Sequence, residues 1–331
     1  MLTRRVSLLF LALALLLVAC GAQPADPDAG DGDLMALRLP MGFVPDPQYA
    51  PVYVAVERGY FSDAGLSIEF DYSFETDGVA LVGANELPFA IVSGEQVILG
   101  RAQGLPLVYV LEWFQRYPIT IVSKAEAGIK SPEDLPGRSV GLPALFGASY
   151  VGYIGLLTAA GIDPSTVDSE DIGFTQVESL LTDRVEAVVV YSNNEPVRLR
   201  ALGEEIDEIA VADYIDMVSN GIITNETTIA ENPELVEGFV HAMLRGIADT
   251  LADPEAAYEI SKKYVEGLDD SRMNVLEASL LLWEAETPGI TDPASWEQTE
   301  RVLLEMGLID RPLDDLEAAY TNRFVETFEG E

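Results

Sequence analysis

Few residues in this chain could carry covalent chemistry. Its 331 residues include one histidine, His241, and one cysteine, Cys20. A Ser-His-Asp or Cys-His arrangement would have to use His241, which lies in the middle of an amphipathic stretch beginning at Pro233, where a partly exposed helix histidine is the plain expectation. Ser149, within Gly147-Ala148-Ser149-Tyr150-Val151-Gly152, misses the G-x-S-x-G spacing by one residue. No G-x-x-x-x-G-K-[ST] run occurs, and one Cys with one His cannot build a zinc cluster. Asp and Glu number 56, so a glycosidase-type carboxylate pair is not excluded by counting, but nothing singles one out. The inventory suits a binder that needs no metal and no cofactor, and argues against an enzyme.

The elements that would position a binding site alternate. Strands are expected at Ala36–Phe43, Ser67–Tyr72, Pro88–Ser93 and Leu107–Trp113, with helices at Ala50–Arg58, Thr76–Val82 and Glu95–Gln103 between them. The pattern restarts after Tyr117, with strands at Ile119–Ser123, Ser139–Leu142, Asp171–Phe174 and Ala187–Tyr191 and helices at Tyr150–Ala160, Val177–Leu181 and Asn194–Ala201. Ser219–Thr224 reads as one more strand. From Pro233 onward the chain reads as helical, with Leu235, Val236, Phe239, Val240, Met243, Leu244, Ile247 and Leu251 on one face. Further helices are expected at Glu255–Val265, Arg272–Glu286, Pro293–Met306 and Leu313–Phe328. Strands separated by helices imply βαβ units and largely parallel sheets. The fold class is therefore α/β in two lobes: residues 35–118 begin the first, 119–218 form the second, and 219–331 complete the first with C-terminal helices.

In open parallel sheets, ligands bind beyond the carboxyl ends of the strands. That rule selects Asp46, Gln48 and Tyr49 after the first strand, Glu75 and Thr76 at the second helix, and Ser93 and Glu95 after the third strand. Trp113 and Tyr117 follow the fourth strand, in a loop cluster of aromatic residues able to wall a planar heterocycle. Further along, Phe146, Ser149 and Tyr150 enter a helix among small residues that would expose backbone N–H groups. Tyr191, Asn193 and Glu195 end another strand, next to side-chain amides suited to the edge of a ring. Trp113 and Tyr191 are expected on opposite sides of a bound ring.

The N-terminus carries its own signal. Arg4 and Arg5 precede an apolar run, Val6 to Val18, of about 13 residues, short of the roughly 20 a spanning helix needs but right for a signal-peptide core. The run ends in Leu17-Val18-Ala19-Cys20, which is similar to a bacterial lipobox. Residues 1–19 are therefore expected to be removed and Cys20 to carry the lipid that holds the chain on the membrane. Residues 20–34, rich in Gly, Pro, Ala and Asp, read as a flexible tether. With only one cysteine, no intramolecular disulfide can form. A formal charge of −37 argues against nucleic acid as a partner.

Gly42–Phe70, GFVPDPQYAPVYVAVERGYFSDAGLSIEF, resembles the opening of a solute-binding family that includes receptors for aliphatic sulfonates and thiamine pyrimidine precursors. FETDGVALVGANELPFAIVSGEQVILGRAQGLPLVYV, KSPEDLPGRSVGLP and NPELVEGFVHAMLRGI fit the same family, so the resemblance covers about residues 36–265 in order. PALFGASYVGYIGLL, FTQVESLLTDRVEAVVVYSNNEP and MVSNGIITNE are most similar to its riboflavin-receptor branch. The same superfamily holds fungal enzymes that need a cysteine-rich motif and an active-site histidine, and this chain has neither in place. The resemblance implies a type II periplasmic-binding-protein fold with ligand between the lobes, and an extracytoplasmic, lipid-anchored, monomeric receptor that hands a small molecule, riboflavin first, to the membrane permease of an ABC importer. A thiamine pyrimidine precursor is the alternative, and a sulfonate or nitrate a more distant one.

Overall fold

Three hydrogen-bonded ladders organise the described residues. The computed structural model describes residues 34–330; the expected signal peptide, Cys20 and nearly all of the tether lie outside them. β1 (Met35–Gly42) and β2 (Leu66–Phe74) pair in parallel. β3 (Ala90–Ser93), β10 (Asn220–Asn225) and β4 (Leu107–Glu112) form a second ladder with β10 in the middle, and β1 lies beside β3. The third has five strands in the order β7 (Asp168–Asp171), β6 (Ser139–Leu142), β8 (Ala187–Tyr191), β5 (Ile119–Lys124), β9 (Ile206–Ala210). Every residue of β3, β4 and β10 is buried, as expected of strands covered on both faces.

The sheets are mixed rather than largely parallel. β10 runs antiparallel to both β3 and β4, and β5 antiparallel to both β8 and β9. The reversals fall on the strands that carry the chain across: β4 leads through Trp113–Pro118 into β5, and β9 leads back into β10. A strand entering a second sheet from a crossing arrives against the direction of the βαβ strands already there.

Helices fill the connections. In the first system these are α1 (Ala50–Glu57), α2 (Tyr60–Asp63), α3 (Glu75–Gly83) and α4 (Gly94–Ala102). In the second they are α5 (Gly147–Ala159), α6 (Gln176–Leu181) and α7 (Glu195–Ala201). After β10 come α8 (Glu226–Glu231), α9 (Pro233–Ala252), α10 (Pro254–Ser261), α11 (Met273–Trp283), α12 (Pro293–Glu305) and α13 (Arg323–Glu326). α9 starts where Asn232 Oδ1 accepts from Leu235 N at 3.3 Å, with Pro233 preset for the first turn. Its apolar face packs on α1, and Phe239 stacks on Phe89 with centroids 4.1 Å apart. α11 and α12 do not merely cover the first system. α11 reaches α7, and α12 lies against both α4 and α5, so each touches both systems.

Two expected elements are replaced. Instead of a strand at Asp171–Phe174, the strand is Asp168–Asp171; Gly173 N donates to Asp171 Oδ1 at 3.1 Å, and this turn releases Phe174 from the sheet. Instead of one helix over Leu313–Phe328 there is a single turn at Glu317–Ala319, an extended Tyr320 and then α13. Tyr320 is drawn out because its ring stacks on buried Trp296 at 4.9 Å and Thr321 N donates to the Tyr109 carbonyl. β9, with Asp207 and Glu208 inside it, escaped the sequence reading because an acidic edge strand lacks the apolar run of a central one.

Gly246 marks where α9 meets α1 most closely: a Cβ there would run into the Pro51 carbonyl oxygen. An alanine in place of an interior helix glycine ordinarily stabilises by about 0.5–1 kcal/mol. Here Gly246→Ala is expected to destabilise instead, by about 1–3 kcal/mol, because two packed helices must separate. A thermal melt with an unchanged or raised Tm would show that this contact is not tight.

Candidate ligand-binding site

The carboxyl ends of the strands converge on one cleft of about 950 Å³, its open mouth included. β1 delivers Gln48 and Tyr49 to it; Tyr49 is held by a 2.6 Å hydrogen bond from its hydroxyl to the Met41 carbonyl. The start of α3 adds Glu75 and Thr76, and the end of β4 adds Trp113 and Phe114. From the other system, Phe146 and Ser149 stand at the start of α5, Gln176 begins α6, and Tyr191, Asn194 and Glu195 lie between β8 and α7. Trp113 is 1% exposed, its ring 5.7 Å from Tyr49 and 5.6 Å from Trp283, so it belongs to the core as much as to the wall.

Six of the residues singled out from sequence stand behind the wall. Tyr117 is a correction of the expected aromatic wall: it is 3% exposed, packs its ring against Gly152 and donates its hydroxyl to the Ala148 carbonyl at 3.1 Å. Tyr150 faces the core cluster of α5. Asp46 is buried, paired with Arg272, and accepts from Gln48 N at 3.0 Å and Asn194 Nδ2 at 3.2 Å. Burial pushes its carboxyl up despite Arg272. Asn193 Nδ2 donates to Gln48 Oε1 at 3.2 Å and to Ser279 Oγ at 2.8 Å. The two asparagines ahead of α7 therefore tie the second system to the first. Ser93 and Glu95 lie beneath Glu75.

Glu75 Oε2 accepts from Ser93 Oγ at 2.7 Å, and its Oε1 accepts from Asn220 Nδ2 at 3.0 Å. Ser93 Oγ also contacts Glu95 Oε1, which accepts from Gln96 Nε2 at 3.3 Å. Desolvation, with the nearby Glu75 charge, pushes Glu95 up to about 8; desolvation also raises Glu75. Burial pushes Glu195 up to about 7.

Of the aromatic mouth, sequence reasoning selected only Phe146 and missed Phe43, Phe74 and Phe174. Phe74 and Phe174, from opposite systems, stack at 6.0 Å and 18°; Phe43 meets Phe174 edge-on at 5.2 Å, and Phe146 meets Phe74 at 6.4 Å. Phe74, Phe146 and Phe174 remain about half exposed, so they form a rim rather than a core. A signal was present: Phe43, Phe146 and Phe174 each adjoin a glycine with φ of 82°, 74° and 61°, where the chain turns outward. His241 is elsewhere, with Nε2 3.1 Å from the Phe324 carbonyl oxygen, joining α9 to α13.

Because an exposed glutamate titrates near 4.5 and folded Glu95 near 8, the unfolded chain releases this proton first as pH rises. This group's contribution to stability therefore falls between those two values and is level above them. Glu95→Gln removes that dependence. Its Tm is expected to equal wild type near the lower value and to exceed it increasingly toward the upper one; parallel melting-pH curves would show that Glu95 holds no proton.

The chain matches the family described as NMT1/THI5 like over residues 46–257. It is 37% identical to the riboflavin-binding protein RibY of Chloroflexus aurantiacus, covering 98% of this chain and 99% of that one. It is 29% identical to the formylaminopyrimidine-binding protein of Halalkalibacterium halodurans, covering 87% and 90%. Among solved structures, the periplasmic aliphatic sulphonate binding protein SsuA of Escherichia coli superposes with a TM-score of 0.71 at 14% identity, covering 87% and 98%. The fold is that of the periplasmic binding proteins, and the chain belongs to the NMT1/THI5-like family.

Proposed function

We propose that this member of the family is the solute-binding lipoprotein of an ABC importer and that its ligand is a planar heterocycle, riboflavin first. The carrying observation is the cleft itself: aromatic rings from both sheet systems, side-chain amides beside them, and no Lys, Arg or His among its lining residues. Riboflavin is favoured by the whole-length similarity to RibY. A formylaminopyrimidine or a related thiamine pyrimidine precursor is the second reading, favoured by the next relative and served by the same stacking and amide groups. A sulfonate or nitrate would meet carboxylates and no cation in this cleft.

Binding is proposed to work by closure. Residues 35–118 with the C-terminal helices act as one lobe and 119–218 as the other, turning about the crossings near residues 115–124 and 215–224. Ligand favours closure through contacts to both sides that the open form lacks. The site residues proposed are those that line the cleft, Gln48, Tyr49, Glu75, Thr76, Trp113, Phe146, Ser149, Tyr191 and Glu195, with Asp46 and Asn193 holding the two sides together. The closed monomer then presents its ligand to the permease and performs no reaction on it.

Titrating the soluble protein (from Leu34) into riboflavin is expected to give saturable quenching of flavin emission at submicromolar concentration, with the vitamin recovered unchanged. Absence of quenching together with calorimetric heat from formylaminopyrimidine would move the assignment to the second reading. The lipid anchor is tested separately by expressing the full chain in bacteria and partitioning it into a phase-separating detergent. Wild type is expected in the detergent phase and Cys20→Ser, once cleaved of its apolar leader, outside it; equal partitioning of the cleaved variant would remove Cys20 as the anchor.

A further inference from the structure

At the base of the cleft, the hydrogen-bond count does not close without an extra proton. Ser93 Oγ approaches one carboxylate oxygen of Glu75 and one of Glu95, and a hydroxyl has one proton to give. The second contact needs a proton that only a carboxyl can bring. Glu75 already accepts from Ser93 N at 3.3 Å and Asn220 Nδ2 at 3.0 Å, as an ionised carboxylate should. Glu95 is fully buried, and its Oε2 has no partner. The donors therefore run one way, from the Glu95 carboxyl to Ser93 and from Ser93 to Glu75, so the negative charge is left on Glu75, the member of the set that lines the cleft.

Nothing nearby neutralises that charge. The ionisable groups facing the pair are Tyr49, Tyr109, Tyr117 and Tyr191, whose phenols burial pushes well above their usual value and so keeps neutral. The guanidinium of Arg272 is engaged by Asp46 behind the wall. Asn194 Oδ1, on another lining residue, is buried without a donor. The carboxyl of Glu195 lines the cleft as well, and none of the lining side chains carries a positive charge.

We infer that the cleft is a charge filter: it takes an uncharged heterocycle that presents N–H or O–H groups and refuses the phosphorylated form of the same molecule, with Glu75 as the specificity-determining residue and Glu95 as the positioning residue that keeps the charge there. This rests on the heterocycle-receptor reading of the cleft. A flavin offers an imide N–H and side-chain hydroxyls to such acceptors. Its 5′-phosphate would bring a second negative charge into a site of low dielectric without a cation.

The test compares riboflavin with riboflavin 5′-phosphate, and the aminopyrimidine with its phosphate, in calorimetric titrations of wild type, E75Q and E95Q. Wild type is expected to bind the neutral member of the accepted pair at least about a hundredfold more tightly, because two like charges within a desolvated site are strongly unfavourable. E75Q is expected to shrink that ratio to about tenfold or less through the same charge term. The wild-type minus E95Q infrared difference spectrum of the ligand-free protein at neutral pH should show a buried protonated-carboxyl stretch, over the contribution that Glu112 and Glu195 make to both proteins, a signature that packing alone would not produce. If wild type takes the phosphate as tightly as the neutral form, or E75Q leaves the ratio unchanged, the filter is overturned while the receptor reading stands. If riboflavin fails to bind, the flavin assignment falls and the pyrimidine pair decides the filter. Loss of both pairs, or a difference spectrum without that band, overturns it.

Discussion

The cleft depends on the two chain crossings being tied to one another at Asn220. Its backbone carbonyl accepts from Trp113 N at 3.0 Å and Phe114 N at 2.9 Å, so the outgoing crossing is pinned to the returning one. Its side chain receives the Tyr191 hydroxyl from the second system and donates to Glu75 in the first. One residue thus sets the spacing of the aromatic wall, the register of the polar base and the approach of the two sheets. These polar groups are buried or half-buried, which makes each bond costly to lose.

Around that junction, polar and apolar contacts divide the labour. Asn193 and Asn194 ahead of α7 reach Gln48, Ser279 and Asp46, joining the systems at the back of the cleft. Phe43, Phe74, Phe146 and Phe174 meet at the front, where stacking needs no precise donor geometry and can be made and broken at a mouth. α12 adds a third link, with Trp296 buried against Tyr109 of β4 and Thr299 Oγ1 accepting from Val218 N at 3.0 Å. A binding protein that closes on its ligand needs such contacts to be strong in one state and separable in the other.

Much of the architecture was legible because it is local. β3, β4, β5 and β8 are largely apolar runs bounded by turns, and α9 shows its buried face in the spacing of Val236, Phe239, Val240, Met243 and Ile247. The rule that sites gather at strand carboxyl ends brought nine of the sequence-selected residues to the cleft wall. It could not separate wall from support. Tyr117 and Trp113 both follow β4 and are equally aromatic, yet one turns onto Gly152 and the other borders the cavity. Strand direction was equally hidden, since a parallel and an antiparallel central strand share the same composition.

What the sequence determined by itself was what covalent order and side-chain type decide: the α/β class, the poverty of catalytic groups, the acidic charge, the N-terminal pattern ending at Cys20, and the family. Tertiary structure alone decided which carboxyl faces the cleft and which supplies the proton. Glu75 and Glu95 are twenty residues apart and chemically alike. Only the fold sets Ser93 between them, opens Glu75 to the cavity and denies Glu95 both solvent and a cation. Ionisation follows dielectric and neighbours, and those exist only once the chain has closed on itself.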